Sequence, residues 1–142
     1  MKKVAVISKE ELNLGEEAKN KLRLALLNLA KDSELWVITP LNRGAETEAA
    51  ILALSSENIS LECAIPFEEQ ARCWSEAERD RYFDIIEKSD KETLITTKWQ
   101  QKSELYTYTY LVNSADIILI GTPSSDEIST LINSSGKKVI QI

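Results

Sequence analysis

Short, nearly unbroken apolar runs punctuate this chain, and between them apolar residues recur every third or fourth position. The first pattern is that of strands covered on both faces, the second that of amphipathic helices. Strands are predicted over Lys3–Ile7, Leu35–Thr39, Ser60–Ile65, Thr93–Thr97, Ile117–Gly121 and Lys138–Ile142. In Glu16–Lys31, Leu22, Ala25, Leu26 and Leu29 form one apolar stripe, with acids at the start and Lys31 at the end to suit the helix dipole. A second helix is predicted from Gly44 or Ala45 to Leu54, burying Ala45, Ala49 and Leu52. A third opens at Ser75, whose spacing to Glu78 is that of a capping box, and turns Tyr82, Ile85 and Ile86 inward. The last runs from Ser124-Ser125-Asp126 to Ser135, with Gly136 past its end.

Residues 103–114 carry conflicting signals. Tyr106-Thr107-Tyr108-Thr109-Tyr110 alternates in the manner of a strand. The spacing of Tyr106, Tyr110 and Asn113 also fits one face of a helix. A parallel sheet needs a crossover here, so a helix is expected. The alternation of strands and helices predicts a single Rossmann-like α/β domain over 1–142, three layers deep, with a mostly parallel sheet of about six strands.

Composition narrows the chemistry. Apolar residues make up 43% and charged residues 28%, as in globular domains, and no run is long enough to span a membrane. Met1-Lys2-Lys3 and the apolar residues after them are cut off by Ser8-Lys9-Glu10-Glu11, so they read as a first strand of a cytoplasmic protein and not as a leader. The net charge is −6, and no basic block is longer than two residues, as at Lys137-Lys138. Nucleic-acid binders neutralise phosphates with clustered cations, so no nucleic-acid partner is expected, and no membrane partner either. The chain contains no histidine, which removes Ser-His and Cys-His dyads and the usual mixed-ligand zinc sites. Two cysteines, Cys63 and Cys73, cannot build a structural zinc site alone and are read as reduced. No metal and no cofactor are called for.

In an open parallel sheet, ligands bind beyond the carboxyl ends of the strands, where strand order reverses. That rule selects Ser8 after the first strand, Arg43-Gly44 with Glu46 after the second, and Gly121-Thr122 with Ser124 after the fifth. A glycine opening a helix beside a cation, as at Arg43-Gly44, suits an anion, although Glu46 and Glu48 oppose one there. The hydroxyls of Thr122 and Ser124 offer a second approach for phosphate or ribose. With four glycines in all, the chain has neither a Gly-x-Gly-x-x-Gly fingerprint nor a phosphate loop. Carboxylates are the available acid–base groups, and Glu46, Glu68 and Asp116 are weighed for glycosidic chemistry; no catalytic residue is assigned. Trp74 and Trp99 are candidate stacking surfaces, whereas Trp36 is expected in the core.

Three stretches carry a family likeness. Arg43-Gly44-Ala45-Glu46-Thr47-Glu48-Ala49-Ala50, Pro66-Phe67-Glu68-Glu69-Gln70 with Trp74-Ser75 and Arg81-Tyr82, and Tyr110-Leu111-Val112-Asn113-Ser114-Ala115-Asp116 resemble segments of the YpsA-like branch of the SLOG superfamily. The second stretch is the specific one, and the likeness runs from about Leu35 to the C-terminus. It implies a Rossmann-like fold and a nucleotide-type ligand. The chain departs from that pattern at Ser8-Lys9-Glu10, at Thr39-Pro40-Leu41-Asn42, at Thr107-Tyr108 and at Ser124-Ser125-Asp126, where the family usually carries Arg, His or Gly. The wider superfamily includes phosphoribohydrolases, whose Pro-Gly-Gly-x-Gly-Thr-x-x-Glu motif is missing here, and DNA-processing DprA proteins, whose role the acidic charge disfavours.

The expected function is therefore a cytoplasmic protein binding a small nucleotide or nucleotide derivative, with no defined reaction. A degenerate scaffold that has lost its ligand and serves as an interaction or homo-oligomeric protein is the alternative. A carboxylate-dependent N-glycosidic hydrolase acting on a nucleoside phosphate is a third reading.

Overall fold

The computed structural model of the chain describes residues 1–142. Six strands, β1 (Lys2–Ile7), β2 (Leu35–Thr39), β3 (Ile59–Ile65), β4 (Lys91–Leu94), β5 (Ile117–Ile120) and β6 (Lys138–Gln141), pair in the order β4-β3-β2-β1-β5-β6. Every pairing is parallel, so the sheet is wholly and not just mostly parallel.

The helices follow from that order. Helices α1 (Glu16–Ala30), α2 (Ala45–Leu54) and α3 (Glu76–Lys88) step the chain from β1 outward to β4. Helix α4 (Ser103–Ser114) carries it back across to β5, and α5 (Asp126–Ser134) leads on to β6. Right-handed crossovers in opposite directions place helices on opposite faces. Accordingly, Val4 and Val6 of β1 share a core with Leu22, Leu26, Ala49, Tyr82 and Ile85, while Ala5 and Ile7 face Tyr108, Leu111, Val112, Ile128 and Ile132. The result is three layers, with the strand order reversing between β1 and β5.

Residues 103–114 are helical because the crossover outweighs a strand propensity worth at most about 1 kcal/mol per residue. Thr107, Tyr108, Leu111 and Val112 turn inward, while Tyr106 and Asn113 lie on the exposed side. Ser75 caps α3 as expected: its hydroxyl accepts from Glu78 N at 3.2 Å, and its own N–H donates to Glu78 Oε1 at 3.1 Å. Gly136 follows α5 at φ +73°, the left-handed position that ends a helix.

One boundary moved. The fourth strand begins at Lys91, not Thr93, because its partners on β3 begin at Glu62 and run to Ile65, opposite Leu94. Its charged first residues, Lys91 and Glu92, are those of an edge strand facing water, which an apolar pattern does not detect. In α2, Leu52 is only half-buried, and Glu46 takes an inward position that the pattern gave to apolar residues alone.

Candidate functional site

The β2–α2 turn departs from ordinary backbone at two places. Leu41 is at φ +64° and Gly44 at φ +106°, and a Cβ at position 44 would lie 3.0 Å from the Glu11 carbonyl oxygen. A left-handed leucine is uncommon and costs about 1–2 kcal/mol. Its side chain is 1% exposed, so core packing offsets that cost.

This turn drops Glu46, in the first turn of α2, into the interior at 1% exposure. Its Oε2 accepts from the Tyr108 hydroxyl at 2.7 Å and from Ser8 N at 3.2 Å, and its Oε1 accepts from Asn42 N at 3.1 Å. Burial pushes the Glu46 carboxyl up to about 7, even though the Tyr108, Ser8 and Asn42 hydrogen bonds pull it down. Tyr108 is held well above the ordinary phenol range, first by burial and then by the Glu46 charge.

The network continues outward. Asn42 Nδ2 lies 3.4 Å from the Tyr108 hydroxyl, and Gln70 Nε2 donates to Asn42 Oδ1 at 3.1 Å and to Pro40 O at 2.9 Å. Tyr82 OH donates to Gln70 Oε1 at 3.0 Å. Gln70 and Tyr82 of the Pro-Phe segment therefore lock the β2–α2 turn to α3.

At the reversal of strand order, the ends of β1 and β5 are laced together. Gly121 N donates to Ile7 O at 2.9 Å, and Lys9 N donates to Thr122 O at 2.7 Å. A Cβ on residue 121 would lie 2.4 Å from Ser8 Oγ, so this close approach requires glycine. Ser8 is 5% exposed. The seam between β1 and β5 is closed, and open space lies to either side of it.

On the α1–α3 side is a cavity of about 250 Å³, lined by Leu12, Leu14, Lys19, Arg43, Gly44, Trp74 and Arg81 among others. Arg43 does not point freely into it. Its guanidinium pairs with Glu10 at 3.0 Å and Glu78 at 3.3 Å and stacks 4.9 Å from the Trp74 ring centre. The Glu10 hydrogen bond raises the already high pKa of Arg43 further. Arg43 thus pins the β1–α1 loop to α3, and Trp74 is its platform.

On the other side, above the ends of β2 and β3, lies a hollow of about 120 Å³. Pro40, Asn42, Pro66, Phe67, Trp99, Ser103, Glu104, Thr107 and Tyr108 line it. Ser124 shares a short hydrogen bond with Glu104 and so joins the α5 start to the rim of this hollow.

Of the residues expected to bind ligand, the structure gathers Ser8, Glu46 and Gly121 at one seam, with Thr122 bonded to its edge. Arg43 and Gly44 border the larger cavity, and Ser124 the smaller hollow. Glu68 is exposed beside the Pro-Phe corner. Asp116 lies at the opposite end of the sheet, where its Oδ2 accepts from Lys3 N at 2.9 Å and ties the starts of β1 and β5. Asn42, Gln70, Tyr108 and Glu104 were not singled out as site residues from the sequence. Gln70 lies inside the Pro-Phe segment, and Asn42 and Tyr108 fall in stretches that depart from the family pattern; nothing marked Glu104, whose position depends on the crossover of α4.

The cysteines are unpaired; Cys63 is buried in β3, where burial raises its thiol to about 12, and Cys73 is exposed. Trp36 is half-buried, its indole N–H donating to Glu62 Oε1 at 2.8 Å. No helix is long and apolar enough to cross a membrane.

The model of the YspA SLOG family, YpsA, matches residues 7–129, beginning well before Leu35. No curated protein sequence matches the chain. Among solved structures, DNA processing protein A (DprA) from Streptococcus pneumoniae superimposes with a TM-score of 0.71 at 12% identity, over 99% of this chain and 50% of that one. DNA processing protein A from Helicobacter pylori, described for its single-stranded DNA binding mode, does so with a TM-score of 0.66 at 13% identity, over 98% of this chain and 64% of that one. The chain thus spans about half of the first protein and under two thirds of the second.

These likenesses overturn the expectation of no nucleic-acid partner. That exclusion rested on net charge, which is a sum over the whole surface. Single strands are held by local grooves and aromatic faces, so an acidic total does not rule them out. Matched over most of its length, the chain belongs to the YpsA SLOG family.

Proposed function

We propose that the chain binds a nucleotide unit, free or within a single strand, above the carboxyl ends of β2 and β3, beside the seam between β1 and β5. The observation that carries this reading is the hollow between Asn42, Phe67, Trp99, Glu104 and Tyr108. It lies at the ligand-binding edge of an open parallel sheet and is backed by a satisfied polar network. Ser8, Glu46 and Gly121 act from behind, fixing the seam and the β2–α2 turn. Ser124 borders the opening through Glu104 and Thr122 stays at the seam, while Arg43 and Gly44 shape the turn instead of meeting phosphate directly. The fold of the H. pylori protein, with its single-stranded DNA binding mode, supports including a strand as a source of the nucleotide. Two unpaired cysteines fit a reducing, cytoplasmic setting.

A second reading is a ligand-free interaction scaffold. The internal pairing of Arg43 favours it, because the one arginine at the expected anion position is already engaged.

Thermal melting across nucleoside monophosphates, ADP-ribose and short single-stranded DNA separates the two. A ligand binding only the folded chain at a hundred times its dissociation constant adds about 2.7 kcal/mol, a rise of several degrees. A flat panel, together with a concentration-dependent oligomer, would replace the binding reading by the scaffold.

A further inference from the structure

The three tryptophans have different surroundings. Trp36 is bonded to Glu62 and Trp74 lies beneath Arg43, but Trp99 is 66% exposed, and no hydrogen bond engages its indole N–H. An exposed tryptophan on a loop needs no function by itself. Here its surroundings add one. It lies on the rim of the 120 Å³ hollow, whose apolar side is Pro40, Pro66 and Phe67. In a chain of net charge −6, the segment Ile95–Lys102 contains Lys98 and Lys102 and no acid. Neither lysine takes part in an ion pair.

We propose that Trp99 is the stacking platform for the base of the bound nucleotide, with Lys98 and Lys102 taking the adjacent phosphate. The inference rests on the binding reading above and specifies its geometry. Every base has a π-face, so a tryptophan face recognises nucleotides without demanding a sequence. A hollow of 120 Å³ is small beside ligand pockets of roughly 300–1,000 Å³, so it takes one ring system and leaves sugar and phosphate outside. Glu104, on the same rim, repels phosphate and accepts from an exocyclic amine, which orients the base inward and the phosphate toward the lysines.

The test is intrinsic fluorescence of the full chain titrated with AMP, with ribose 5-phosphate as the probe lacking a base and an adenine deoxyoligonucleotide as the strand. AMP quenches the exposed tryptophan, and ribose 5-phosphate does not. Trp99→Ala melts like the wild type, loses the quench and binds AMP about 5- to 150-fold more weakly. Trp99→Phe retains part of the affinity. An oligonucleotide binding more than about tenfold tighter per site than AMP identifies a strand as the source; equal binding identifies the free nucleotide.

If AMP raises the melting temperature of wild type and Trp99→Ala alike with no quench, the base lies elsewhere. The platform is then overturned while the binding reading stands. If neither AMP nor the oligonucleotide changes melting or fluorescence, both are overturned.

Discussion

Two buried glutamates, Glu46 and Glu62, each accept three hydrogen bonds, yet the fold treats them in opposite ways. Glu46 has two backbone amides and Tyr108, no cation among its partners, and a carboxyl raised to about 7 by burial. Glu62, on β3, accepts from Trp36 at 2.8 Å, from Thr93 at 2.9 Å and from Tyr110. Burial raises its carboxyl too, but the Tyr110, Trp36 and Thr93 donors and the Lys91 charge outweigh it, and the net shift is downward. Counting hydrogen bonds does not predict the sign; depth and neighbouring charge decide. The edge cluster around Glu62 stabilises an anion. The interior cluster around Glu46 holds a group close to its proton-exchange point behind the candidate site.

The two glutamates differ most in the pH dependence of stability that each confers. A carboxyl raised in the folded state holds a proton there that the unfolded chain releases. Folded stability therefore falls as pH rises between the ordinary value of 4.5 and about 7. The fall attributable to Glu46 is on the order of 3 kcal/mol. In Glu46→Gln this part of the slope disappears, as urea unfolding at pH 5 and pH 8 will show. An unchanged slope would place the proton elsewhere.

For Glu62 the sign reverses. A depressed folded pKa gives stability that is present above 4.5 and is lost as pH falls through the folded value. Glu62→Gln should cost about 1–3 kcal/mol at neutral pH by weakening hydrogen bonds to a charged acceptor. It should also flatten acid unfolding below pH 4.5, which circular dichroism can follow. Smaller still, Tyr108→Phe removes one donor to Glu46 at a cost of about 1 kcal/mol and moves the Glu46 transition to higher pH. Least of all, Arg43→Ala should lower the melting temperature less than Tyr108→Phe and leave nucleotide affinity unchanged. A large loss of affinity would restore Arg43 as a phosphate ligand.

Much of this architecture was legible in the chain. The apolar runs marked all six strands, Ser75 and Glu78 marked the start of α3, and Gly136 marked the end of α5. The start of β4 was not legible, because Lys91 and Glu92 belong to an edge whose outward side chains are polar. Gly121 and Ser8 were picked as candidates from topology, but their mutual contact was not foreseen, because it depends on the β1–β5 pairing. Arg43 looked free in sequence; its partners Glu10 and Glu78 are distant in the chain and meet it only when the β1–α1 loop folds over α3. The −6 charge was read as a property of every surface, whereas Lys98, Trp99 and Lys102 form a local exception.

The most direct measurement is amide chemical-shift mapping of the full chain on addition of AMP. AMP bound in the hollow shifts Asn42, Phe67, Trp99, Ser103 and Glu104, shifts Ser8 and Gly121 less, and leaves the surroundings of Glu62 and Lys91 unchanged. Shifts confined to the Lys91 edge, or to Arg43 and Arg81 in the larger cavity, would contradict binding in the hollow.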